Sequence, residues 1–118
     1  EDYVAAVDSI HRHGREFAYF FQQYDVLLTP PLAQPPAKIG ALQYYPDAYS
    51  DIKAFHFDVD TRYTPFTAIY NASGQPAMSV PLCKNNDGLP IGVQFAAAVG
   101  DDIRLFQLAQ QLMIGAKV

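Results

Sequence analysis

Side chains that could support nucleophilic catalysis are scattered along the chain. Ser79, His56 and Asp58 could in principle form a Ser–His–Asp set. No nucleophile elbow of the G-x-S-x-G type is present, however, and no serine lies in a Gly/Ser-rich run. The serines are Ser9, Ser50, Ser73 and Ser79. The residues therefore give little support to an independent small hydrolase.

The second group of candidate groups is a set of possible metal ligands, His56, Asp58 and Asp60. They alternate with apolar residues, and this period of two predicts an edge strand or extended segment with the three polar side chains on one side. We interpret that side as a solvated face, because no other ligand cluster supports a metal site. His11 and His13 would point to different faces of a helix. The sequence therefore predicts neither a metal nor a cofactor.

Composition narrows the class of protein further. Half of the 118 residues are hydrophobic, which favours one domain with a core. A formal net charge of −4, with no cluster of basic residues, argues against binding to nucleic acid or to a membrane surface. Cys83 is the single cysteine, so an internal disulfide is excluded; we interpret it as a structural thiol. A reducing, cytoplasmic compartment fits best.

Apolar residues near both ends of the chain recur at helical spacing. One helix is predicted from Asp2 to Gln22, and Gly14 on its apolar face predicts close packing against a neighbour. A second helix is predicted to begin at Gly100–Asp102 and to end at a Gly115 cap. The predicted apolar face of this second helix consists of Ile103, Phe106, Leu108, Ala109, Leu112 and Met113.

Three runs between these helices have strand character. The apolar run Val26–Thr29 predicts a strand covered on both faces, and a helix leading into such a strand indicates an α/β fold. Ala77–Leu82 and Leu89–Ala97 flank Asn85–Gly88, whose residue types favour a tight reversal. We therefore predict that these two strands pair in antiparallel fashion, with Gly92 permitting close backbone approach.

Residues 30–63 are predicted to form an irregular Pro-rich loop and insert. Pro30–Gly40 holds four prolines, which favours a linker, an SH3-type ligand or a loop packed on its own domain. We favour the packed loop because Leu32 and Ile39 look buried. Ala41–Tyr63 is the least informative part of the chain.

Two dense runs carry a family resemblance. TPFTAIYNASGQPAMSVP at Thr64–Pro81 and GLPIGVQFAA at Gly88–Ala97 together resemble the C-terminal part of the amidase signature family, the Ser-Ser-Lys amide hydrolases. In the first run we predict a compact turn from the residue types of Asn71, Ser73, Gly74 and Pro76. The resemblance covers roughly residues 3–112. It implies a mixed-sheet α/β/α sandwich, of which residues 1–118 would be a single C-terminal segment.

The resemblance also implies hydrolysis of a carboxamide through a Ser acyl-enzyme, without metal or cofactor. In the family a nucleophilic Ser is activated through a cis-Ser bridging to Lys, in a Gly/Ser-rich segment upstream of the part seen here. The lysines of this chain lie in loop-like or terminal contexts, at Lys38, Lys53, Lys84 and Lys117. We therefore assign no catalytic residue to the chain and expect it to be inactive alone.

The segment that precedes the turn lies near the acyl pocket in this family. The resemblance thereby makes pocket candidates of Thr64, Phe66, Thr67, Tyr70 and Asn71. Glutamine-using relatives carry an acidic residue seven positions before the Asn, where this chain has the uncharged Thr64. This departure favours an apolar or aromatic acyl group. The alternative for Phe66 and Tyr70 is that they are simply core residues.

The expected partners follow from the same resemblance. They are the remainder of the amidase domain, on the same or a separate chain, and a small-molecule amide. The chain starts with Glu1 rather than Met, and we expect both of its ends to be cuts. Unpaired strand edges and apolar helix faces would then be exposed, which predicts self-association or docking onto a complementary chain. The alternative is a non-catalytic binding or scaffold module derived from an amidase, using Thr64–Tyr70 as a groove.

Overall fold

Helices lie at both ends of the described chain and strands lie between them. The computed structural model describes residues 1–115. The elements are α1 (Asp2–Phe20), β1 (Leu27–Thr29), α2 (Ile52–Arg62), α3 (Ala68–Ser73), β2 (Ala77–Lys84), β3 (Pro90–Ala96) and α4 (Asp102–Gly115). This order confirms the predicted terminal helices and the α/β class. The end of α4 beyond Gly115 and the setting of Lys117 lie outside the described residues.

The strands form one antiparallel sheet in the order β1-β3-β2. The predicted hairpin is confirmed, because β2 pairs with β3 from Ala77↔Ala96 to Lys84↔Pro90. At the reversal the Asn85 Oδ1 accepts hydrogen bonds from two backbone N–H groups, those of residues 87 and 89, at 3.0 and 2.9 Å. Gly88 supplies the positive φ of +79° that the turn requires.

The core lies between this sheet and α4. Residues in register share a face of the sheet, so Leu28 and Met78 flank Phe95 on the face that packs against α4. The centre of the cluster consists of Val80, Phe95, Ala97 and Leu105. Burial of these side chains is the main stabilising contribution to the fold.

The helix α1 packs against α3 through an aromatic contact. The ring centroids of Phe17 and Tyr70 are 6.0 Å apart at an interplanar angle of 59°. Gly14 lies at the same helix pair, but a Cβ added there would be 3.9 Å from the Ser73 carbonyl oxygen, an ordinary van der Waals distance. The close packing predicted to require Gly14 is therefore wrong, because a methyl group fits.

The edge strand predicted around residues 55–59 is also wrong. These residues lie in α2, whose first turn is capped by the Asp51 carboxylate accepting from the Ala54 N–H at 2.8 Å. A helix rotates about 100° per residue, which puts Asp58 roughly opposite His56. The three candidate ligands at residues 56, 58 and 60 therefore do not point to one side. Residues 30–51 contain no helix or strand.

Two expectations of burial are corrected. The strand β1 is not covered on both faces by the described residues, since Leu28 is 60% exposed at the open side of the sheet. The apolar face predicted for α4 is in fact two faces, because Leu105 and its neighbours point inward while Ile103 (70% exposed) and Phe106 (72%) point outward. A helix that is apolar on opposite sides is typical of a position between two packing partners.

The proline-rich loop is packed at its start only. The Ala33 N–H donates to the Tyr63 carbonyl oxygen at 2.9 Å, and a Cβ added at Gly92 would be 3.0 Å from Pro31 Cγ. This confirms the close approach predicted at Gly92. Ile39, by contrast, is fully exposed, so the packing predicted for it is wrong.

The described chain is broad, thin and open. Its extents are 48 × 44 × 17 Å and its radius of gyration is 17.1 Å, against about 13.5 Å expected for a compact domain of this length. Its accessible surface is 8685 Å², whereas a compact protein of this mass exposes about 6400 Å². Much of the excess is apolar side chain on α1 and α4 and at β1.

Candidate functional site

The predicted pocket segment is a tight turn that leads from α2 into α3. The Thr64 hydroxyl donates to Asp60 Oδ1 at 3.2 Å, and the Thr67 hydroxyl donates to the Thr64 carbonyl oxygen at 3.3 Å. Phe66 and Thr67 are half-buried, and Asn71 is exposed on α3. The turn thus holds four of the five candidates near the surface, with an Asp carboxylate beside Thr64.

Tyr70 differs from the other candidates because it points into the interior. It is 5% exposed and packs on Phe17. This position agrees with the alternative interpretation of Tyr70 as a core residue. In this setting the ring supports the turn from behind.

The compact turn predicted at residues 71–76 is partly wrong. Asn71 and Ser73 lie in α3, which ends where Gly74 adopts a left-handed φ of +79° and donates its N–H to the Tyr70 carbonyl oxygen at 2.9 Å. The Ser73 hydroxyl donates to the Ile69 carbonyl oxygen at 2.6 Å and contacts the buried Gln75 amide. Ser73 is thereby held as part of a helix terminus.

A buried glutamine joins the pocket segment to the sheet. Gln94 on β3 is 5% exposed, and its Nε2 lies 3.1 Å from Thr29 Oγ1 and 3.4 Å from the Phe66 carbonyl oxygen. The residues it connects are 65 and 28 positions away along the chain. Sequence reasoning missed Gln94. The available signal was a polar residue between apolar neighbours in a predicted strand, because such a group needs a hydrogen-bonding partner.

A polar cluster on α2 precedes the pocket segment. The Tyr49 hydroxyl donates to Asp58 Oδ2 at 2.7 Å, and the Arg62 guanidinium pairs with the same oxygen. The hydrogen bond from Tyr49, followed by the pairing with Arg62, lowers the pKa of the Asp58 carboxyl. The same hydrogen bond to the carboxylate raises the pKa of Tyr49. Tyr44 and Phe55 pack around Tyr49 and give this insert a small aromatic cluster of its own.

This cluster accounts for Asp58 without a catalytic triad. The carboxylate of Asp58 is engaged by Tyr49 and Arg62, and among the described residues no hydrogen bond joins Ser79 to His56 or Asp58. The other histidine with a side-chain partner, His13, contacts Glu16 Oε2 at 3.0 Å on α1. The geometry of the described residues therefore offers Ser79 no base.

Two cavities open at the surface. One of about 260 Å³ lies between the proline-rich loop and the hairpin, lined by Pro31, Leu32 and Ile91 among others. The other, of about 460 Å³, is a shallow space between α1 and α3 beside Gly14 and Ser73. Neither is lined by the five pocket candidates, which among the described residues face open surface.

Two further searches concern metal sites and membrane spans. Within residues 1–115, the structure brings together no group of three or more His, Cys, Asp or Glu side chains that could hold a metal ion. None of the helices described combines the length and apolarity needed to cross a bilayer.

Comparison with known proteins identifies the family. The model of the amidase family matches residues 1–106, which is nearly the whole chain and includes both dense sequence runs. The chain belongs to the amidase signature family. This confirms the resemblance that rests on the Thr64–Pro81 and Gly88–Ala97 runs.

Curated members of the amidase signature family align along most of the chain. A Mycobacterium leprae protein named "Putative amidase AmiC" is 37% identical over 107 residues, which are 91% of this chain and 22% of that protein. The 6-aminohexanoate-cyclic-dimer hydrolase of a Pseudomonas species is 33% identical over 114 residues, covering 93% and 23%. The chain thus spans about a fifth of the length of these relatives.

Solved structures of family members match the fold. A structure of 6-aminohexanoate cyclic dimer hydrolase superposes with a TM-score of 0.83 at 30% identity, over 94% of this chain and 23% of that one. A crystal structure from the glutamyl-tRNA(Gln) amidotransferase of Thermotoga maritima gives a TM-score of 0.67 at 29% identity, over 91% and 21%. The mixed helix and strand arrangement therefore corresponds to part of the amidase signature fold.

Proposed function

We propose that the chain is the C-terminal part of an amide hydrolase whose catalytic Ser, cis-Ser and Lys lie outside these 118 residues. The observation that carries this proposal is the family match over residues 1–106, combined with a span of only about a fifth of the relatives' length. The open shape supports it as well, because the excess surface has the apolar character of a domain interior.

The reaction is the hydrolysis of a carboxamide in two steps. A serine oxygen outside the chain attacks the amide carbon, the C–N bond breaks, and the nitrogen leaves as amine or ammonia after taking up a proton. Water then attacks the acyl-enzyme ester and releases the carboxylic acid with the free serine. This route requires a base for the serine and donors for the oxyanion, but no metal or cofactor.

The contribution of this chain is one wall of the acyl pocket. Thr64, Phe66, Thr67 and Asn71 form that wall, and Tyr70 supports it from the interior. The Thr64 hydroxyl is engaged with Asp60, which leaves the half-buried Phe66 as the main apolar surface of the turn. An apolar or aromatic acyl group suits such a wall.

The remainder of the amidase domain packs on two surfaces of the chain. The first is the outer face of α4 around Ile103 and Phe106, and the second is the open side of the sheet at Leu28. In the complete protein these side chains are buried, which stabilises it by roughly 25 cal/mol per Å² of apolar surface removed from water.

The test is the release of ammonia from acetamide and benzamide by the full-length protein that carries this chain. The proposal predicts hydrolysis by the full-length protein and none by the 118 residues alone. Turnover by the 118 residues, or binding without turnover by the full-length protein, would contradict it. The second result would favour a non-catalytic binding module.

The pocket assignment is tested by a matched pair of Phe variants. Phe66→Ala should lower kcat/KM for benzamide more than for acetamide, because only the aromatic acyl group uses the Phe66 surface. Phe57→Ala, on the exposed face of α2 at 73% exposure, should leave the ratio unchanged. Equal ratios in the two variants would refute the assignment of Phe66 to the acyl pocket.

A further inference from the structure

We infer that Gln94 is the positioning residue that sets the acyl-group preference, acting through the backbone of Phe66. The inference rests on the proposed function and deepens it. Gln94 does not touch the substrate. Its role is to hold the turn that carries Phe66 at a fixed distance from the sheet.

The first support is the place of Gln94 in the sheet. It lies on the central strand, where Thr29 of β1 and Ser79 of β2 are its register partners and share its face. A central strand is the most rigid part of a sheet, since it is paired on both sides. A side chain fixed there is a rigid reference point for the loops that lie over it.

The second support is the hydrogen bonding of the side chain. Nε2 has two N–H donors, and one reaches Thr29 Oγ1 at 3.1 Å while the other reaches the Phe66 carbonyl oxygen at 3.4 Å. A backbone carbonyl oxygen only accepts hydrogen bonds, so the amide must present its nitrogen to Phe66. The orientation of the Gln94 amide is therefore fixed by chemistry.

The third support is that little else ties Phe66 to the sheet. The hydroxyl contacts of Thr64 and Thr67 are local, within three or four residues. The hydrogen bond from Gln94 to Phe66 spans 28 residues and crosses from the hairpin to the turn. Its loss would free the turn to shift without disrupting the local contacts within it. A shift of the turn moves the Phe66 ring, which changes the width of the acyl pocket.

The test uses the full-length protein and the ratio of kcat/KM for benzamide to that for acetamide. Gln94→Leu removes both donors, and we expect the ratio to fall between about two- and tenfold, the range of one net hydrogen bond. Thr29→Val is the matched control, because it removes the other partner of Nε2 and leaves the bond to Phe66 in place. That control should lower the melting temperature while leaving the ratio unchanged.

A second variant gives a signature that loss of stability alone would not produce. In Gln94→Glu the ionised carboxylate cannot donate to the Phe66 carbonyl oxygen and is repelled by it, whereas the protonated carboxyl can donate. Burial raises the pKa of the introduced group above its ordinary value. The ratio should therefore be close to that of the wild type at low pH and fall as pH rises through that pKa. Effects of pH on catalysis itself cancel in the ratio.

Each outcome decides between the claims. Wild-type protein that hydrolyses neither amide refutes the proposed function and this inference with it. Wild-type hydrolysis with an unchanged ratio in both Gln94 variants refutes the inference alone. The same holds if the ratio of Gln94→Glu does not change with pH, or if no Gln94 variant yields folded protein, since Gln94 would then be purely structural.

Discussion

Replacing Gly92 by alanine should destabilise the protein, whereas the same change at Gly14 should stabilise it. A Cβ at residue 92 would lie 2.6 Å from Ser79 Oγ and 3.0 Å from Pro31 Cγ, both well inside contact distance. The serine hydroxyl can rotate away, but the proline ring cannot. At residue 14 the nearest atom would be the Ser73 carbonyl oxygen, at 3.9 Å.

The magnitudes follow from these distances. Overpacking by one methyl group costs about 1–3 kcal/mol, and replacing a strand Gly with Ala returns about 0.5–1 kcal/mol. We expect Gly92→Ala to lower the free energy of unfolding by about 1–2 kcal/mol. In the interior of α1 no clash offsets the better helix propensity of alanine, so Gly14→Ala should raise it by about 0.5–1 kcal/mol.

The assay is urea-induced unfolding of the full-length protein, followed by circular dichroism for both variants. A double variant, Gly92→Ala with Ser79→Ala, should recover part of the loss because the hydroxyl is removed from the contact. A stabilising Gly92→Ala, or a destabilising Gly14→Ala, would refute the packing described for the loop and for the α1–α3 pair.

Three further predictions concern the α2 cluster, the α3 terminus and the outer face of α4. The pKa of Asp58 is lowered, so the stabilisation that its pairs provide is present above the ordinary value of 3.8 and lost as pH falls through the lowered one; thermal melting between about pH 2 and 6 should show a loss in the wild type that Asp58→Asn lacks, and equal pH profiles would contradict the cluster. Gly74→Ala should cost about 1–2 kcal/mol in chemical unfolding because its φ is +79°, whereas Gly74→Asn should cost less; equal losses would argue against the left-handed cap. Replacing Ile103 and Phe106 together by Asn should reduce self-association of the isolated chain in sedimentation velocity and destabilise the full-length protein; an unchanged association state would show that this face is not the contact.

The parts of the fold that could be predicted are those with long, unambiguous apolar patterns. Six apolar positions at helical spacing specify α1, and two apolar strands around Asn85–Gly88 specify the β2–β3 hairpin. In each case the local residue preferences and the tertiary packing favour the same structure. The family could be recognised for a related reason, because its two dense runs coincide with the hairpin and the turn before it.

The helix α2 could not be predicted because its pattern is short and fits both periods. Phe55 and Val59 are four residues apart and share a helix face, but Phe57 between them also fits a strand. The structure leaves Phe57 exposed, so its apolar character was misleading. The usable signal was Asp51, an N-cap residue followed by residues free of Gly and Pro up to Pro65.

The candidate site was predictable only in outline. Family resemblance selects the Thr64–Asn71 segment, but the interior position of Tyr70 and the bridge from Gln94 to Phe66 depend on contacts between distant parts of the chain. Such contacts leave no local pattern. A buried polar residue is recognisable only once the sheet shows what it faces.

The central claim is that the nucleophile of this amidase lies outside the 118 residues. The most direct measurement is labelling of the full-length protein with a fluorophosphonate, which reacts covalently with an activated serine, followed by peptide mass spectrometry. We expect a single labelled serine in the part of the protein outside this chain. Labelling of Ser9, Ser50, Ser73 or Ser79 would contradict the claim.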